Sequence, residues 1–149
     1  MGRAENETAE KTYRAIGRFM FEFSQVEYTI RHHLAEEIGL KEKHFSAVVE
    51  SYEVGALTTV AIEVIRKSRG ASAEPISNLL NRFRGLNDKR KRVAHGLWVP
   101  FKDGGTIHYV PRNNLSPGQF TDQARQLEQH ADELCQLRTD LEQAFLAMP

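Results

Sequence analysis

The chain has a single cysteine, Cys135. It cannot close an internal disulfide or build a zinc site with cysteine partners, and it points to a reducing, cytoplasmic setting. Net charge is also missing: 20 Lys and Arg balance 20 Asp and Glu, and the pI is about 7.0. Coating nucleic acid non-specifically rests on a large positive field, so the balance argues against that class but permits a local basic site. No apolar run approaches the roughly 18 residues of a membrane span. The polar start, Met1 to Thr8, lacks the apolar stretch of a signal peptide. No membrane association is expected.

Several chemical signatures are absent too. There is no phosphate loop of the Walker or Rossmann kind, no G-x-S-x-G around a serine, and no H-E-x-x-H. Of the histidines, His32 and His33 are adjacent and point to different sides of a helix, while His44, His108 and His130 stand alone. Neither a metal site nor a cofactor is expected from such spacings.

What remains is an ordinary apolar fraction, 40%, in 149 residues. That is enough for one domain, residues 1–149, with its own core. Helical spacing runs through Tyr13, Ile16, Phe19, Met20, Phe23, Val26, Ile30, Leu34 and Ile38, with Gly39 as the stop. A short helical connection is expected over Lys41 to Glu50. A second helix is predicted from about Tyr52 to Ser68, capped by Ser51, with Val54, Leu57, Val60, Ala61, Val64 and Ile65 on one face. A third opens near Glu74-Pro75 and carries Ile76, Leu79, Leu80, Phe83, Leu86, Val93 and Ala94. Leu97 to Val110 reads as a β-hairpin turning at Asp103-Gly104-Gly105, and Pro111 to Gly118 as a loop. The last helix is predicted to start near Ser116-Pro117 or Phe120-Thr121 and to end at about Ala147, on Leu127, Ala131, Leu134, Leu137, Leu141, Ala144 and Met148. The expected fold is therefore all-α: a four- to five-helix up-and-down bundle with a small hairpin, about 97–110, inserted before the last helix.

One stretch stands out, Asn87-Asp88-Lys89-Arg90-Lys91-Arg92-Val93-Ala94-His95-Gly96. From Arg82 onward it gathers Arg82, Arg84, Lys89, Arg90, Lys91 and Arg92 against one acid, Asp88, which favours a phosphate-bearing partner. Arg90 falls near the middle of an apolar stripe, and Glu27 interrupts the stripe of the first helix in the same way. A buried unpaired carboxylate is costly, so one reading is a structural Glu27–Arg90 ion pair with His95 as a cation at the helix end. The other is a guanidinium fork that grips phosphate beside a histidine, a residue type that titrates near neutrality and moves protons. On an ideal helix His95 points about 140° away from Arg90. The two meet one ligand only if the last turn loosens at Gly96.

Arg90-Lys91-Arg92-Val93-Ala94-His95-Gly96 resembles the R-x4–6-H signature of HEPN domains, where it often runs Arg-Asn-x-x-Ala-His-Gly. The helical order, and Phe23-Ser24-Gln25-Val26-Glu27-Tyr28 with Arg31, are similar to that family as well. The resemblance implies a single HEPN-like helical domain, a homodimer and a metal-independent endoribonuclease of the toxin, defence or RNA-processing kind. By the motif, Arg90 and His95 are the catalytic pair, Glu27 supports Arg90, and Lys89, Lys91 and Arg92 bind RNA phosphate. Lys91 departs from the usual Asn; it cannot accept a hydrogen bond. The alternative implied by the same family is a non-catalytic dimer that binds a nucleotide, an RNA, or a partner protein such as a cognate antitoxin or a nucleotidyltransferase. The hairpin aromatics Trp98, Phe101 and Tyr109 are expected to pack in the core, with base stacking as the other option.

Overall fold

The computed structural model describes residues 3–99, 106–110, 118–121 and 124–147. The fold is all-α, a helical bundle that carries one small antiparallel sheet. Helix α1 spans Arg3–Glu37, α2 is a single turn at Phe45–Val48, α3 spans Val54–Arg69, α4 Glu74–His95 and α5 Ala124–Leu146. Strands β1 (Leu97–Val99), β2 (Thr106–Tyr109) and β3 (Gly118–Thr121) lie between α4 and α5 in the chain. No helix is long and apolar enough to cross a membrane among the described residues.

The chain falls into two compact units, one made of Met1–Phe23 with Asp88–Glu133 and the other of Ser24–Asn87 with Leu134–Pro149. In the first, Ala15, Phe19, Phe23, Val93, Leu127 and Ala131 are buried. The Phe19 ring sits tilted against Phe23 at 6.3 Å and meets His130 edge-on at 6.4 Å. In the second unit the core includes Val26, Ile30, Leu34, Leu57, Ile65, Leu80, Phe83, Leu134 and Leu141. Burying each such side chain is worth about 1.5–3 kcal/mol against leaving it in water.

Helix α1 follows its predicted stripe except at the edges. Tyr13 is 70% exposed because it lies about 120° round the helix from Phe19. Ile38 falls beyond the last turn and is also exposed. The stop at Gly39 is a Schellman motif: with φ at 65°, Gly39 N–H donates to Glu36 O at 3.0 Å and Leu40 N–H to Ala35 O at 2.8 Å.

Helix α3 begins two residues later than predicted. Glu53 takes the extended N-cap conformation without a side-chain bond, and Ser51 Oγ instead donates backward to Val48 O at 3.2 Å. Ser51 therefore closes the preceding turn. On α3, Thr58 and Ile62 are buried while Val60 and Val64 are half-buried, a shift of the inward face that period counting missed. Thr58 Oγ1 donates to Val54 O at 2.9 Å and accepts from Arg84 Nε at 3.1 Å, so its burial leaves no unsatisfied group.

The two strands of the expected hairpin are present, with Leu97 opposite His108 and Val99 opposite Thr106; its turn and Phe101 lie outside the described residues. A third strand corrects the sequence reading. Gly118–Thr121 pairs antiparallel with β2, Ile107 opposite Phe120, where the last helix was expected to begin. Ser116-Pro117 has the residue types of a helix start, but Phe120 and Thr121 suit a strand, and an available edge on β2 supplies their backbone partners. Helix α5 starts only at Ala124, and Phe145 joins its buried stripe.

Candidate functional site

The basic stretch closes α4. The helix is regular to its end: Gly96 N–H donates to Arg92 O at 2.8 Å, and Gly96 is not in the left-handed region. The loosening expected at Gly96 does not occur. Trp98 gives the reason, since its Nε1–H donates to Val93 O at 3.0 Å. The indole thus satisfies one of the last carbonyls of the helix, which would otherwise lack a partner, and ties β1 to the helix end. Trp98 is half-buried in this role.

With the helix intact, Arg90 and His95 point about 140° apart. Arg90 is half-buried, its guanidinium lying over the Phe23 ring at 5.6 Å from the centroid. Phe23 is a core residue at 1% exposure, so the platform under Arg90 is rigid. His95 is exposed at the helix terminus. Lys89 and Arg92 are half-buried, and exposed Lys91 reaches Asp88 one turn back at 3.9 Å, a weak surface pair.

Glu27, expected beside Arg90, already holds a cation of its own helix. Arg31, four residues on, donates to the Glu27 carboxylate, to Val49 O, and to Tyr52 O at 2.8 Å. The Arg31 side chain is 11% exposed, so this guanidinium pins the segment between α2 and α3 onto α1. The i, i+4 spacing of Glu27 and Arg31 was the signal that could have revealed the pair.

Other charge clusters also hold the fold. Arg69 at the end of α3 forms two bonds to Glu37, donates to Phe145 O at 3.2 Å, and lies over the Phe145 ring at 5.6 Å. Hydrogen bonds from Arg69 hold the Glu37 carboxyl below its ordinary range. His33 stacks on the same Phe145 ring, centroids 4.4 Å apart, and burial pushes its imidazole below the ordinary value despite Glu36. Arg18 bonds Glu128 and Asp132, which raise its already high affinity for the proton. No three His, Cys, Asp or Glu side chains gather to hold a metal ion among the described residues.

No protein-family model matches the chain, and neither a curated protein nor a solved structure resembles it closely enough to count as a match.

Proposed function

We propose that the protein is a metal-independent endoribonuclease of HEPN type, acting as a homodimer whose site draws Arg90 from one copy and His95 from the other. The observation that carries this reading is the make-up of the α4 end. A guanidinium rests on a rigid aromatic platform, half-buried basic residues flank it, and a histidine stands exposed at the terminus. Two copies are needed because one regular helix turns Arg90 and His95 away from each other.

In this mechanism the ribose 2′-OH attacks the adjacent phosphorus and the P–O5′ bond breaks, leaving a 2′,3′-cyclic phosphate and a 5′-OH. His95 accepts the 2′-OH proton, and the departing 5′-oxygen takes a proton from water. General acid–base help of this kind is worth about 10²–10⁴ in rate. Arg90 stabilises charge developing on the phosphorane oxygens, while Lys89, Lys91 and Arg92 hold flanking phosphates. The test is cleavage of single-stranded RNA in EDTA with end-group analysis. Cyclic-phosphate ends that disappear in His95→Ala support the reading; equal cleavage by wild type and variant rejects it.

A second reading keeps the dimer without the chemistry: a module that binds RNA, a nucleotide, or a partner such as an antitoxin or nucleotidyltransferase. The intact last turn favours it, since it separates the two motif residues within each chain. RNA binding that is retained in His95→Ala, with no cleavage by either protein, selects this reading.

A further inference from the structure

In the second unit an open cleft of about 360 Å³ lies between α1 and α5, near the small end of the roughly 300–1,000 Å³ range of ligand pockets. Gln25, Tyr28, Thr29 and His32 line it from α1, and Arg138 and Glu142 from α5. Among the described residues the Arg138 guanidinium, the Thr29 hydroxyl and the Gln25 carboxamide make no hydrogen bond or ion pair. Elsewhere in the unit Arg31, Arg69 and Arg84 all donate to protein acceptors. Arg138 is half-buried and Thr29 only 7% exposed; neither leaves a fully buried donor without a partner, so both stay open to a ligand entering the cleft.

The cleft also has an aromatic wall. The Tyr28 and His32 rings lie nearly parallel, 10° apart with centroids at 6.2 Å, and Tyr28 is 60% exposed. A polar cluster of donors beside an uncovered flat surface asks for a ligand with both features.

We propose that this cleft binds a small molecule that joins a flat ring to an oxyanion, Arg138 with Thr29 and Gln25 taking the oxyanion and the Tyr28–His32 pair lying against the ring. A guanidinium fork matches the oxygens of either a carboxylate or a phosphate, and a ring gains most by offset stacking on another. Glu142, one turn beyond Arg138 on the same helix, is the internal competitor, because its charge both repels an oxyanion and attracts the guanidinium. The site stands apart from the RNA reading and does not depend on it.

The experiment is a titration of the full chain followed by amide chemical shifts, with benzoate, phenyl phosphate and inorganic phosphate as probes. Saturable shifts confined to residues 25–33 and 138–146 are expected with benzoate or phenyl phosphate, and whichever binds tighter identifies the oxyanion. Arg138→Gln weakens that probe at least about tenfold and Glu142→Gln tightens it. Arg138→Lys, which keeps the charge and the helix, falls between. Absence of localised shifts, or binding that survives Arg138→Gln, overturns the proposal. Inorganic phosphate binding as tightly as phenyl phosphate overturns it too, because the ring wall would then have no part.

Discussion

Arg69 grips Glu37 with two parallel bonds, Nε to Oε1 at 3.1 Å and Nη2 to Oε2 at 2.7 Å. Both side chains are nearly withdrawn from solvent, at 11% and 12% exposure. The pair joins the last residue of α1 to the last residue of α3, and a third bond reaches the end of α5.

Removing one partner of so covered a pair leaves the other charge unanswered. Arg69→Ala is expected to destabilise the protein by about 3 kcal/mol or more, read by urea unfolding. Because Glu37 titrates below its ordinary range, its stabilisation is complete above that range. It is lost as pH falls through the native value. The acid limb of the stability curve therefore flattens in Arg69→Gln.

Arg18 provides the contrast. Its bonds to Glu128 and Asp132 sit in the open, with side-chain exposures of 39%, 36% and 68%. Solvent screens them, so Arg18→Ala should cost no more than about 1 kcal/mol, with the difference shrinking as salt is added.

His33 sets a second pH dependence of opposite chemistry. Burial against Phe145 holds the imidazole below its ordinary value of 6.5, so the unfolded chain takes up its proton first. Stability should fall as pH drops below that value and level off once native His33 is itself protonated. His33→Gln removes this component, measured as melting temperature against pH.

A site shared between two copies predicts complementation. Arg90→Ala and His95→Ala should each be inactive on RNA alone, Arg90→Ala losing about 10²–10³ in rate. Mixed and allowed to exchange subunits, they form heterodimers with one intact site and recover part of the activity. No recovery in a mixture shown to exchange rules out a site composed across the dimer.

The Phe23 platform can be tested without touching the motif. Phe23→Leu leaves a small void in the core and costs about 1–2 kcal/mol, but removes the ring beneath Arg90. The expected result is RNA cleavage reduced more than binding, in a protein that still unfolds cooperatively.

The helices were legible in the sequence because their signal is local. Apolar residues at helical spacing mark Phe19, Phe23, Val26, Ile30 and Leu34 as one buried face, and a glycine at the right distance marks the stop at Gly39. The Arg90 to His95 spacing was legible for the same reason, including the angle that separates its two ends. Partners chosen across the chain were not. Gly118–Thr121 is a strand only because β2 offers an edge; Arg31 takes Glu27 because the carbonyls of Val49 and Tyr52 converge on the same guanidinium. Trp98 keeps the last turn of α4 closed by reaching back to Val93. Sequence periodicity marks the buried face of α1, though on α3 it misses Thr58 and Ile62; what a charged side chain meets there depends on groups many residues away, and only tertiary packing brings those within hydrogen-bonding distance.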